Sequence, residues 1–173
     1  MTVDAASVKS DRVYMVTLFQ LRGLTWATEL KWIREVVPAT GINPLPNSSP
    51  FVAGMINIRG EIIPVFHMDK ILLSHNEASL TEGNGKILLI HDDGKDLGIL
   101  VDRVLRVETV NSEDLFPLSS VSGGPWKHDF VRLLMKHDSF SEIPLLDVPQ
   151  LVEHITGGDN VRPRKESLQE GPA

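Results

Sequence analysis

Short apolar runs separated by turn residues fill the chain from Val13 to Val152. "VYMVTLF" and "LTWA" flank "QLRG", and "KILLIH" and "LGILV" flank "DDGKD". Runs of about four to eight residues, rich in β-branched and long aliphatic side chains, suit strands better than helices. Both pairs read as β-hairpins, the second with Asp93-Gly94 where a tight turn favours it. A third apolar pair lies in "FVAGMINIRGEIIPVFHMDKIL", from Phe51 to Leu72. Gly60 supplies the turn there, but a buried strand pair has no need of Arg59. One segment departs from the strand pattern. "TELKWIREVVP" has Thr28 as an N-cap, Leu30, Ile33 and Val37 at helical spacing, and Pro38 as a stop, which predicts a short amphipathic helix.

The chain also repeats itself. "WATELKWIREVV" from Trp26 aligns with "LGILVDRVLRVE" from Leu97, pairing Ala27 with Gly98, Ile33 with Val104 and Val36 with Val107. "PVFHMDKIL" from Pro64 aligns in the same order with "PLLDVPQLV" from Pro144. Two similarities in one order predict duplicated halves, about 12–80 and 81–155, with a period too long for a solenoid. Short strands with Gly and Pro turns favour barrels or a sandwich. Pro64 and Pro144 then belong at edges, bulges or strand ends, because proline cannot donate to a ladder. Residues 1–11 and 156–173 are polar and unpatterned and are expected to be tails. Trp26 is expected in the core, and Trp32 either caps the core edge or faces a partner.

Composition narrows the function more than the fold. The 173 residues carry a net charge of -6 with scattered Lys and Arg, which argues against nucleic-acid binding. There is no cysteine, hence no disulfide or thiolate chemistry. The N-terminus lacks a signal pattern, and no run approaches the about 18 apolar residues of a membrane span. A soluble cytoplasmic protein without direct membrane insertion is the expectation. No chemistry assembles from motifs either. His67, His75, His91, His128, His137 and His154 show no metal-ligand spacing. Asp92 and Asp93 read as a hairpin turn rather than a cation site, no GxSxG elbow occurs, and "GGPW" at Gly123–Trp126 reads as a loop. No enzyme activity, metal or cofactor is expected.

"GMINIRGEIIPVFHM" resembles the hallmark of the CheW-like family, in which a glycine-led strand runs through an arginine-glycine turn into a strand ending in proline. Gly54, Asn57, Arg59, Gly60, Pro64 and Val65 match in order and spacing. "LKWIREVV", "LGILVDRVLRV" with Gly98, Val101 and Asp102, and "IPLLDVPQLV" with Asp147 also resemble family segments, so the likeness covers roughly Val13 to Val152. His67 stands where the family usually has an acidic residue, Met68 where it has leucine, and Leu133 where glycine is frequent. The resemblance implies an all-β fold with short helices: two five-stranded SH3-like barrels about a pseudo-twofold axis. It implies a non-catalytic adaptor that joins the cytoplasmic tip of methyl-accepting chemoreceptors to the regulatory domain of a CheA-type histidine kinase. It also implies recruitment to membrane-associated receptor arrays. An adaptor of twitching motility or another chemosensory pathway is the alternative within the family, and a small-molecule-binding barrel the alternative outside it. The implied partner-binding residues are Ile33, Glu35, Gly54, Asn57, Arg59 and Gly60. Arg59 matches the family's turn arginine, and Glu35 its acidic position on the short helix.

Overall fold

The first reversal falls at Arg22-Gly23. In the computed structural model, which describes residues 12–73, 84–120 and 124–157, β1 (Val13–Leu21) turns back there on β2 (Leu24–Glu29). β3 (Ile33–Pro38) follows; then β4 (Val52–Ile58) and β5 (Glu61–His67) pair around Arg59-Gly60, and α1 (Met68–Leu72) follows β5. β6 (Lys86–Asp92) and β7 (Lys95–Val101) pair around Asp93-Gly94. After them come β8 (Arg103–Asn111), the two-residue β9 (Leu115–Phe116), β10 (Val131–Lys136), β11 (Glu142–Leu146) and α2 (Val148–Gly157). All three two-residue turns have positive φ at both positions: 54° and 79° at Arg22-Gly23, 50° and 90° at Arg59-Gly60, 47° and 73° at Asp93-Gly94. That geometry matches the right-handed twist of the flanking strands, and the second residue of each pair is the glycine that tolerates it.

The helix expected over Thr28 to Pro38 is absent. Thr28 is buried in β2, Leu30–Trp32 is a single 3-10 turn, and Glu29 ahead of it makes no side-chain capping bond. Ile33 to Pro38 pairs with β6, from Ile33↔Ile90 to Pro38↔Lys86. The same residues that fit a helical stripe also alternate half-buried and exposed along a strand. An isolated helix this short is marginal, while β-branched Ile33, Val36 and Val37 suit a pleated surface. The ladder offered by β6 therefore decides the conformation.

The strands form two sheets, ordered β8-β1-β2-β11-β10-β9 and β3-β6-β7-β5-β4. Strand for strand, the five shared positions correspond as β8 with β3, β1 with β6, β2 with β7, β11 with β5 and β10 with β4. The sequence alignment matches Ala27 to Gly98 and Val65 to Leu145. The parallel pairings are Val65↔Gly98 in one sheet and Leu145↔Ala27 in the other. The repeats are real, but each completes the other's sheet. The expected split near residue 80 therefore does not separate the two barrels. One is the continuous stretch β3–β7, and the other is assembled from β1–β2 and β8–β11.

Each barrel has its own interior. Val16, Leu18, Ala27, Val110, Met135, Ile143 and Leu145 fill one; Ala39, Ile56, Ile63, Val65, Ile87, Leu89 and Leu100 fill the other. The largest cluster lies between the sheets and under both helices. It includes Phe19, Trp26, Phe66, Leu72, Leu88, Ile99, Leu134, Leu151 and Ile155. Trp26 is fully buried there, and Trp32 packs on its edge beneath Lys31, whose Nζ lies 4.9 Å from the ring centroid. α2 buries Val148, Leu151, Val152 and Ile155, an i, i+3, i+4, i+7 stripe. Pro64 faces Met55 of β4, and the parallel ladder to β7 starts one residue later. Pro144 likewise precedes the β2 contact at Leu145, so neither missing N–H interrupts a second ladder.

The C-terminal tail boundary shifts. Thr156 and Gly157 end α2 rather than begin a tail: the Thr156 hydroxyl donates to Val152 O (2.8 Å) and accepts from Lys95 Nζ (3.2 Å). Residues 1–11, 158–173 and Gly123 lie outside the described residues.

Candidate functional site

Ile58 pairs with Glu61 and Asn57 with Ile62, which leaves Arg59 and Gly60 at the tip of the β4–β5 hairpin. The Asn57 Oδ1 accepts the Gly60 N–H at 2.8 Å and locks the turn. The Arg59 guanidinium then reaches β3 as a fork, with Nη1 donating to Glu35 Oε1 at 3.0 Å and Nη2 to Glu35 Oε2 at 3.2 Å. One residue back on β3, Arg34 Nη1 donates to Glu61 Oε2 (2.6 Å) and to Asp96 Oδ2 (3.2 Å). His91 Nδ1 lies 2.8 Å from Asp96. The hydrogen bond and charge of Glu61 hold the Arg34 pKa above its ordinary value.

β3 is one edge of this sheet; Arg59 reaches it from the tip of the hairpin that carries the other edge, β4, while Asp96 lies on the central strand β7. Exposed ion pairs contribute about 0 to 1 kcal/mol each, and so they orient side chains more than they hold the fold. The Arg59 side chain remains 75% exposed. A guanidinium carries five N–H donors, and two are aimed at Glu35. The other three take no part in this pair.

Of the six residues expected at a partner surface, Glu35, Asn57, Arg59 and Gly60 come together here. Glu35 does so from a strand, not from the expected helix. Gly54 lies at the far end of β4, where its backbone meets the segment before that strand. A Cβ there would sit 2.3 Å from Asn43 O and 2.7 Å from Asn43 C. Ile33, at the head of β3, packs against the core shared by the two sheets. Sequence reasoning did not find Arg34, Glu61 or Asp96. The "RE" at 34–35 and the "RGE" at 59–61 carry complementary charges, but only the edge position of β3 brings them face to face.

Each sheet also carries exposed apolar side chains on an edge strand, β3 in one and β8 in the other. Val36 is opposite Leu88, which belongs to the shared core, and Val107 is opposite Thr17. Both valines are exposed, as are Val13 and Met15 on β1. Val36 and Val107 are equivalent in the internal repeat, so the two barrels present the same kind of side chain at equivalent positions. The sheet built from the chain ends has its own cross-link between β8 and the end of β10. Glu108 accepts from Arg106 Nε and lies 3.0 Å from His137 Nε2. Burial opposes the Glu108 charge, but Arg106 and His137 outweigh it and hold this carboxyl below its ordinary range.

The departures from the family pattern acquire structural meaning. His67 and Asp147 precede α1 and α2, and their N–H groups bond equivalently to Phe51 O and Phe130 O, each at 2.8 Å. The Asp147 Oδ1 accepts the Gln150 N–H at 3.1 Å, whereas His67 provides no side-chain cap for α1. Replacing Asp147 by Ala should therefore lower stability by about 1 kcal/mol, and His67→Asp should raise it by a similar amount. Denaturant midpoints read both changes, and an unchanged midpoint for the Asp147 variant would show that the cap contributes nothing. Leu133, opposite Leu145, occupies the position that Gly54, opposite Val65, fills in the other sheet.

A cavity of about 360 Å³ lies between the helices, lined by Phe51, Ile71, Lys127, Asp129, Phe130, Gln150 and His154. Its lining mixes the apolar Phe51, Ile71 and Phe130 with polar and charged side chains. None of its side chains forms a nucleophile–base pair.

The chain thus forms two strand-exchanged barrels with a charged clasp at the tip of one hairpin. The model of the CheW-like domain matches residues 15–156. Chemotaxis protein CheW of Thermotoga maritima is 33% identical over 149 residues, 86% of this chain and 93% of that protein. Chemotaxis protein CheW of Treponema pallidum is 29% identical over 109 residues, and the match spans 61% of this chain and 64% of that protein, less than two thirds of its length. The crystal structure of scaffolding protein TtCheW from Thermoanaerobacter tengcongensis shares the fold, with a TM-score of 0.69 at 23% identity over 79% of this chain and 90% of that one. The chain belongs to the CheW-like family. Both curated relatives are named as chemotaxis proteins.

Proposed function

We propose that this protein is a non-catalytic cytoplasmic adaptor that couples methyl-accepting chemoreceptors to the regulatory domain of a CheA-type histidine kinase. In this reading it is recruited to membrane-associated arrays through those partners. Among the described residues, no helix is long and apolar enough to cross a membrane. The observation that carries the proposal is the Arg59 fork, held by Glu35 yet mostly exposed. A guanidinium oriented by one carboxylate, beside exposed Ile62, is suited to an acceptor on a receptor helix. Asn57 and Gly60 set the turn that carries it.

Titration of a receptor cytoplasmic fragment tests this reading. Arg59→Ala should weaken binding at least tenfold, since losing a desolvated hydrogen-bonded charge at an interface costs about 2 to 5 kcal/mol. Its effect on folding should stay within about 1 kcal/mol, the range of an exposed pair. Glu35→Ala should weaken binding less, because it releases the guanidinium without removing it. An Arg59→Ala protein that folds and binds like wild type would sink the receptor assignment.

A further inference from the structure

Side chains from both ends of β10 reach carboxylates on other strands of its barrel. Near its start, Arg132 Nη1 donates to Glu29 Oε1 at 2.9 Å; just past its end, His137 Nε2 lies 3.0 Å from Glu108 Oε2. Glu29 and Glu108 flank one residue, since both pair with Val16, the first from β2 and the second from β8. Directly opposed residues share a face of the sheet, and Val16 belongs to the barrel interior. The two carboxylates therefore stem from the inner face, roughly 10 Å apart across two strand spacings. One is answered by a guanidinium, which keeps its charge in proteins. The other is answered by an imidazole, the side chain that changes charge nearest neutral pH.

The His137 side chain is only 13% exposed, and both ring nitrogens are occupied. Nε2 faces Glu108, the Ser139 N–H points at Nδ1 from 3.0 Å, and the ring centroid lies 5.1 Å from that of Phe140. A backbone amide can only donate, so Nδ1 is the bare nitrogen and Nε2 carries the proton toward Glu108. A second proton has to go on Nδ1, where the new N–H would confront the Ser139 N–H. That bond must break before the ring can charge. Glu108 meanwhile exchanges a neutral donor for an imidazolium. Burial opposes its own charge, but Arg106 and His137 outweigh it and hold its pKa below the ordinary value, so it stays ionised as the ring charges. The other charges around the ring are Arg106 on β8, Lys136 and Asp138 beside His137, Glu142 opposite Lys136, and Asp114 ahead of Leu115, which is opposite Met135. None of these forms a hydrogen bond or ion pair with the ring among the described residues.

We propose that His137 is a proton-operated latch on the loop between β10 and β11. Neutral, it pins that loop through the Ser139 N–H; once Nδ1 takes a proton, it releases the loop and keeps its hold on Glu108. The contact between β8 and the end of β10 then persists while residues 138–141, Phe140 included, change position. The latch is built into the fold and does not depend on the receptor assignment.

Nitrogen-15 NMR of the full chain tests it between about pH 8 and about pH 5, the span over which histidines change charge. At the upper pH the imidazole should be the Nε2–H tautomer. As it takes up a proton, the protection factor of the Ser139 amide against hydrogen exchange should fall at least tenfold. Protection of Leu134 in β10 and Ile143 in β11 should not move, which separates loop release from wider opening. In His137→Gln the Ser139 amide should show no such step. Glu108→Gln should keep both tautomer and step, because its side-chain oxygen still accepts from Nε2. A ring with its proton on Nδ1 at the upper pH, a ring that takes up no second proton over this span, or Ser139 protection that stays level while the ring titrates overturns the proposal. An equal fall in His137→Gln does so too, since the loosening would then be a general effect of acid. Wild-type spectra alone decide the first three outcomes, whether or not the variants fold.

Discussion

Fragments 1–80 and 81–173, each prepared alone, should show no cooperative unfolding transition, and mixing them should restore one. The cut severs β3–β5 from β6–β7 within one sheet, and β1–β2 from β8–β11 within the other. In the first fragment β1–β2 becomes a lone hairpin, and such hairpins are at best marginally stable in water. The shared core is divided as well: Phe19, Trp26, Phe66 and Leu72 go with one fragment, Leu88, Ile99, Leu134 and Leu151 with the other. The expected loss is the whole folding free energy, about 5 to 15 kcal/mol for a domain. Circular dichroism during thermal unfolding of each fragment and of the equimolar mixture measures it. A sharp transition in either fragment alone would mean that one repeat closes its own barrel.

Gly54→Ala should be the most damaging conservative point change. Its φ of 151° is unfavourable for any residue with a Cβ, and the added methyl would lie 2.3 Å from a backbone oxygen that cannot swing aside. To relieve the contact, the loop must retreat and release the paired bonds between Asn43 and Met55. Backbone strain of about 1 to 3 kcal/mol and two hydrogen bonds at about 1 kcal/mol each together give about 3 to 5 kcal/mol. A fall in thermal midpoint of roughly 10 °C follows for a chain of this size. An Ala variant that melts like wild type but no longer binds the receptor fragment would return Gly54 to the partner surface.

The legible parts of this protein were those governed by neighbours in sequence. The glycine of each two-residue turn marked the hairpins, and the repeat alignment matched the residues that later proved to hold equivalent parallel pairings. That alignment was silent on which copy completes which sheet, because Ala27 and Gly98 are interchangeable in pattern. β3 was misread for a related reason. Leu30, Ile33 and Val37 satisfy a helical period, and only the partner strand β6 breaks the tie. No helix is expected over α2 from the sequence although its stripe from Val148 to Ile155 is regular, because that segment enters only through its likeness to the Pro64 segment. At the site, the resemblance located Arg59 and Glu35. The Arg34–Glu61 and Arg34–Asp96 contacts join β3 to β5 and β7, strands far apart in sequence, which no local pattern encodes.

The strand exchange also bears on how the molecule carries load. The chain passes between its two barrels only twice, through the three-residue turn Leu30–Trp32 and through the single residue Asp102. The second crossing is tethered to the first hairpin, with the Arg22 N–H donating to the Asp102 carboxylate at 2.7 Å and the Asp102 N–H to Gln20 O at 2.9 Å. Such short crossings, on either side of a common core, leave no slack in which one barrel could swing against the other. The shared core and these two crossings tie the barrels together at three places, so the protein is built as a strut and not a joint.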